Sequence, residues 1–406
     1  MDFALRSEGG YIGLELAGGE VTAGDEDDYD GKGSVLVKNS FFQKYLLPGF
    51  VFQSVIIGGG YGTGRELVEF FLRHGPIKGL LGMVLVTTVM WSVFLALTFE
   101  FVRRFRTYEY RGLFRRLLGS GWFIFEEIYV VYLLLVLAVI GAASGELFRD
   151  YFGMSYMLGV ALMLAAVGFL TFVGSRVIEK FLSIWSFVLY GVYIVFLVVM
   201  LSRMGSAVRA NFSASPADPG WVLSGFKYAF YNLANVVGVL FCLRHIETRP
   251  QALTAGVAAG IIGIIPALLF YIPLVGFYPQ VLQEGVPSAY MFRETQIRIL
   301  FIVFQVVLFG TLIETGTALI HAVNERIDAA WATRRKVFPR WLRPVIAIVF
   351  LLMALVTAKL GLKDLIAKGY GTICWGFFFV FLLPLANWWI SNWFKGRTVA
   401  ANNPDV

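Results

Sequence analysis

Five glycines fall within the seven residues Gly58-Gly59-Gly60-Tyr61-Gly62-Thr63-Gly64, in the middle of an apolar run from Leu46 to Leu72. Each glycine in a helix interior costs about 1 kcal/mol relative to alanine, so a helix passing through this stretch is expected to unwind or break. In a bilayer the freed backbone groups must be buried in protein, because hydrocarbon offers them no partners. A second half-helix starting near Thr63, a good capping residue, would aim its positive end into the gap and make a site for an anion or zwitterion. Close helix packing through small residues is the competing use of such glycines.

Five further groups could carry chemistry. Arg65 and Glu66 follow the glycines by one turn and need a partner or water at that depth, either as a salt-bridge anchor or as an outer gate. A later apolar segment contains Phe226-Lys227-Tyr228-Ala229-Phe230-Tyr231-Asn232-Leu233-Ala234-Asn235-Val236-Val237-Gly238, where Asn232, Asn235 and Gly238 mark a second weak helix centre. The alternative is that the two asparagines join helices together. Glu314 lies well inside another apolar run between Thr311 and Thr315, and an intramembrane carboxylate is a functional candidate by default. His321 and Glu325, spaced i,i+4, could share a ligand. The adjacent Glu126 and Glu127 point about 100° apart on a helix and are expected to pair with arginines of the preceding loop.

The elements that must position these residues are membrane helices. Of 406 residues 58% are hydrophobic and only 15% charged, and the mean hydropathy is +0.72. Ten stretches are long enough to cross roughly 30 Å of hydrocarbon: 46–73, 77–102, 121–147, 154–173, 177–202, 221–243, 253–276, 296–323, 343–361 and 370–393, the last starting nearer Leu362 if Leu362–Lys368 is a short amphipathic helix. Arginines and lysines gather in alternate loops, with Arg103, Arg104, Arg106, Arg111, Arg115 and Arg116 after the second stretch and Arg326, Arg334, Arg335, Lys336, Arg340 and Arg343 after the eighth. The positive-inside rule therefore predicts cytoplasmic termini. The net charge of +7 reflects this loop bias and implies no nucleic-acid partner. Cys242 and Cys374 make no disulfide framework. Residues 1–40 hold no hydrophobic signal core, and Asp25-Glu26-Asp27-Asp28-Tyr29-Asp30 predicts a disordered acidic tail. Asn211-Phe212-Ser213 is a short sequon of the accidental kind.

Two sets of five spans must have opposite orientations, and each set opens with its interrupted helix, which is the plan of inverted-repeat transporters. Phe230 to Gly238 resembles the unwound sixth helix of neurotransmitter:sodium symporters. Phe309-Gly310-Thr311-Leu312-Ile313-Glu314-Thr315 is similar to their eighth helix, with Ile313 and Glu314 where that family binds its second sodium ion through hydroxyls. Gly58 to Glu66, followed by Leu-Val-Glu-Phe-Phe, looks like the YkvI-like group within the amino acid–polyamine–organocation superfamily. There is neither the Asp-Pro-Gly-Asn of Nramp metal transporters nor the Arg-Phe-Pro of the sodium symporters.

The resemblance implies an all-α integral membrane protein with the LeuT fold, ten transmembrane helices in 5+5 inverted repeats, and helices 1 and 6 broken. The organisation then reads as an acidic cytoplasmic tail at 1–40, a first repeat at 41–203, an external loop at 204–219, a second repeat at 220–395 and a tail at 396–406. The expected function is secondary transport by alternating access, in a bacterial inner membrane, of an amino acid or related carboxylate, with H+ or Na+ as coupling ion and no other cofactor. Gly58, Gly59, Gly60, Tyr61, Gly62, Thr63, Gly64, Tyr228, Phe230, Tyr231, Asn232 and Asn235 are the expected substrate site, the solute's carboxylate meeting N–H groups near Gly62–Gly64. Glu314, Thr311 and Thr315 are the expected coupling site, and Arg65, Glu66 and Lys227 an outer gate. Two rivals are a metal-dependent intramembrane enzyme on Glu314, His321 and Glu325, and a passive channel.

Overall fold

The protein is described by a computed structural model covering residues 41–173, 175–213, 218–333 and 341–401. The expected acidic tail lies outside the described residues. Those residues are predominantly helical, with no strand among them. Among the described residues, six helices are long and apolar enough to cross a membrane: Pro76–Phe105, Tyr110–Phe152, Gly191–Ser213, Arg249–Val275, Arg298–Ile320 and Leu362–Asn392. Shorter apolar helices span Tyr156–Thr171 and Pro344–Leu360. The last long helix begins at Leu362, the earlier of the two starts the sequence allowed.

The glycine-rich segment interrupts its helix twice. The helix Leu47–Ile56 stops where Ile57 turns extended, with φ −79° and ψ 93°, and a single turn Gly59–Gly62 follows. The chain breaks again at Gly64, whose φ of +79° is left-handed, before Arg65–Phe70 resumes. Only glycine serves there, because a Cβ would also lie 2.7 Å from Phe270 Cε1. The second half-helix starts at Arg65, with Gly64 rather than Thr63 in the cap position. The Thr63 hydroxyl still accepts from the Arg65 N–H at 3.4 Å while it donates to the Gly60 carbonyl at 2.9 Å, and the Thr63 carbonyl accepts from Ser288 N–H at 3.0 Å.

The second weak centre changes helix type rather than opening. The α-helix Trp221–Leu233 passes into 3₁₀ turns at Ala234–Gly238 and Leu240–His245, the tighter winding that often marks a hinge or strain. The helix before the glycine break packs on the helix Arg249–Val275, which seats against Thr88–Phe105 through Gly256 and Gly260. A Cβ on Gly256 would lie 2.7 Å from the Leu95 carbonyl carbon, so the two backbones touch.

Several expectations resolve at this level. The sequon residue Asn211 is committed, donating to the carbonyls of Val275 at 2.8 Å and Tyr278 at 3.1 Å. Glu126 accepts from the Tyr110 hydroxyl at 3.3 Å, and Arg111 Nε donates to that same oxygen at 3.0 Å, which links the carboxylate to the arginine loop through a tyrosine. Cys242 and Cys374 are buried free thiols.

Candidate functional site

Gly64 decides where the next residues point. Its left-handed turn starts a new helix whose second residue, Glu66, folds back onto the glycine break. A Cβ on Gly60 would lie 2.8 Å from Glu66 Cγ and 2.9 Å from Cδ, so the carboxyl group occupies space that only a glycine leaves. Glu66 is 4% exposed. The Tyr231 hydroxyl donates to Glu66 Oε2 at 2.7 Å.

Tyrosines from three other segments complete the surroundings. Tyr231 stacks on Tyr370 with ring centroids 4.7 Å apart, Tyr228 meets Tyr231 edge-on at 5.5 Å, and Tyr132 lies 6.4 Å from Tyr231 and 6.2 Å from Tyr370. Asn235 Nδ2 donates to the Tyr132 hydroxyl at 3.0 Å, tying the 3₁₀ segment to the helix Trp122–Phe152. The Tyr228 hydroxyl is buried with no hydrogen-bond partner among the described residues. A buried carboxylate ringed by tyrosines, with one hydroxyl left over, is suited to a small cation bearing N–H groups.

On the arginine-poor side of this cluster lies a cavity of about 260 Å³, lined by Glu69, Phe70, Arg73, Ser224, Lys227 and Gly371 among others. Phe70 is shared: its ring sits 5.6 Å from both Tyr228 and Tyr231. It thus joins the cavity wall to the tyrosine cluster.

The expected gate trio is divided by this geometry. Arg65 is buried, and its guanidinium donates to the carbonyls of Leu282 and Glu284 at 3.0 Å each and to Glu69 Oε2 at 2.7 Å, anchoring the 276–297 connection rather than facing the cavity. Glu66 belongs to the centre, and Lys227 alone lines the cavity. Glu69 bridges Arg65 and Arg73.

Members of the expected substrate site are likewise separated. The Gly62 and Gly64 N–H groups are bonded to the carbonyls of Gly58 and Tyr61, both at 2.9 Å, so these amides do not point free into a pocket as a carboxylate site needs. Tyr61 is fully buried, and Gly62 packs beside Leu308. Phe230 turns away from the tyrosines to stack on Phe378 at 5.0 Å and meet Trp375 at 6.1 Å. Asn232 donates back along its own helix to the Tyr228 carbonyl at 3.0 Å, which spends its amide locally. Tyr132, Tyr370, Phe70 and Glu69 were missed as site residues. Tyr132 carried a signal, one turn beyond Tyr129, but Tyr370 stands alone at a segment start.

In the helix Arg298–Thr333, Thr311 is buried and donates to the Val307 carbonyl at 2.9 Å. Glu314 and Thr315 are half-buried, and Glu314 forms no hydrogen bond or ion pair among the described residues. The side chains of His321 and Glu325 lie outside the described residues. Among those described, no three His, Cys, Asp or Glu residues group as metal ligands.

With this geometry in view, the solved structure of MhsT in complex with L-phenylalanine superposes over 85% of this chain and 89% of its own, with a TM-score of 0.56 and 16% identity. The fold is that of a LeuT-type transporter. In sequence, the chain is 23% identical over 333 residues to the uncharacterized membrane protein YkvI of Bacillus subtilis (strain 168), covering 79% of this chain and 89% of YkvI. A manganese transporter of Eremococcus coleocola also aligns, over 87% of this chain and 80% of its own, with 15% identity and a TM-score of 0.48. No protein-family model matches.

Proposed function

We propose that the protein is a secondary active transporter for a small amine-bearing solute, an amino acid or close relative, working by alternating access across ten spans in two inverted sets of five. The observation that carries this reading is Glu66, buried against Gly60 and held by Tyr231. A carboxylate taken out of water costs several kcal/mol unless it meets a compensating charge, and the nearby Arg65 is already committed to Glu69. An incoming ammonium would supply the missing charge, with tyrosine faces around it. The amino acid class is supported by the L-phenylalanine complex of the structural neighbour. This differs from the sequence expectation, which had the solute's carboxylate meeting the N–H groups near Gly62–Gly64.

Alternating access would then involve Phe70, which joins the wall of the cavity at the external end to the tyrosine cluster, and the 3₁₀ turns after Leu233 as a place where the helix can reseat. Glu314 is the proposed coupling residue for H+ or Na+. Gly62 packs on Leu308, and Glu314 follows Leu308 by six residues, about 9 Å of helix rise toward the arginine-rich end. The test is uptake into proteoliposomes of radiolabelled amino acids against the same compounds lacking the amine. Saturable uptake of amines that is lost in Glu66→Gln supports the assignment. Equal transport of the deaminated carboxylates refutes it.

A further inference from the structure

At the arginine-rich end of the bundle a second, larger cavity of about 570 Å³ opens between the end of Thr88–Phe105 and the short helix Tyr110–Leu118. Its lining includes Arg104, Phe105, Arg106, Thr107, Arg115 and Arg116, and no carboxylate. None of these four arginines forms an ion pair among the described residues, whereas the neighbouring Arg103 is neutralised by Glu100 at 2.6 Å. Glu109 comes near at Gly112 and pairs with none of them.

Two features separate this place from a merely basic loop. The Thr107 hydroxyl is buried and has no hydrogen-bond partner among the described residues, so a donor is left in a wall of positive charge. Three of the guanidinium groups are also held by aromatic rings, Arg104 5.7 Å from the centroid of Trp388, Arg115 4.8 Å from that of Trp122 and Arg116 4.6 Å from that of Phe105. A side chain kept in place by stacking loses less entropy when it binds, and guanidinium forks match phosphate oxygens.

We propose that this cavity is a phosphate-oxyanion site filled from the membrane by the headgroup of an anionic phospholipid. The short helix lies beside it with Leu113 and Phe114 buried and Arg115 and Arg116 exposed, an amphipathic element suited to the water–lipid boundary. Its volume exceeds what one inorganic phosphate fills. Arginine clusters directly next to a membrane helix attract anionic lipid at about 1 kcal/mol per side chain, so removing two predicts about a thirtyfold loss of retention.

The experiment measures, by native mass spectrometry of the full chain, retention of phosphatidylglycerol against phosphatidylcholine, with inorganic phosphate and glycerol 3-phosphate as soluble competitors. Arg106→Gln with Arg116→Gln is expected to weaken phosphatidylglycerol retention about thirtyfold, and Thr107→Val to weaken it without changing charge. The pair Arg244→Gln with Arg249→Gln is the control. Both are exposed, both contact rings, Tyr108 at 5.8 Å and Trp389 at 5.4 Å, and neither lines the cavity. Full retention in the control, with loss in the cavity pair and in Thr107→Val, supports the site. Equal loss in both pairs overturns it in favour of the general field of the loops. Binding of free phosphate with no preference for phosphatidylglycerol overturns the lipid source.

Discussion

Replacing Gly60 by alanine probes the proposed centre with a single methyl group. The new Cβ would lie 2.8 and 2.9 Å from Cγ and Cδ of Glu66, closer than carbon atoms tolerate. The three nearest atoms all belong to the Glu66 side chain, so the carboxyl is the group that must swing away. In doing so Glu66 gives up the 2.7 Å bond from Tyr231. A hydrogen bond to a charged group contributes about 1.5–3 kcal/mol net, which converts to about ten- to hundredfold in affinity for an ammonium ligand. Gly58→Ala is the steric control, because a Cβ there meets nothing within 4 Å. Tyr231→Phe should weaken binding in the same direction with no added bulk. Isothermal titration of detergent-solubilised protein with amine solutes reads the affinity, and thermal melting reads the fold. If Gly60→Ala melts like the wild type and binds amines as tightly, the carboxylate of Glu66 is not the recognition group.

Gly256→Ala should act on stability instead. Its Cβ would press on backbone atoms of Leu95 and Ala96, which cannot rotate away, so a loss of about 1–3 kcal/mol or more is expected and is measured as a lower melting temperature. Outside the spans, Asp218 accepts from Gly220 N–H at 2.8 Å and pairs with His74 Nδ1 at 2.5 Å, and these hold its carboxyl below the ordinary range. A lowered folded pKa contributes stability above the unfolded value and loses it as pH falls through the folded one. The melting-temperature gap between wild type and Asp218→Asn should therefore shrink below about pH 4. Glu314→Gln keeps shape but cannot titrate: gradient-driven accumulation should vanish while equilibrium exchange survives, measured with proton and sodium gradients imposed separately. Unchanged accumulation would return Glu314 to a packing role.

What the sequence determined by itself were the features with a local cause. Five glycines in seven positions remove helix stability wherever the segment sits, so the interruption at 58–64 was legible without any partner. Apolar length made the long helices legible in the same way, and so did the winding change around Asn235, where a poor hydrocarbon residue meets Gly238. The direction in which Glu66 faces was not legible. It depends on the left-handed Gly64, which resets the helix phase, whereas the sequence pointed to Thr63 as the cap, one residue earlier. A phase error of one residue turns a side chain by about 100°, enough to exchange a gate for a centre. Nor could the tyrosines be assembled beforehand. Tyr132, Tyr228, Tyr231 and Tyr370 come from three separate segments, and only the packing of those helices brings their rings together around one carboxylate. Arg65 shows the same dependence: an arginine in an apolar stretch demands acceptors, and the tertiary structure alone decided that they are Glu69 and the carbonyls of a loop more than two hundred residues away.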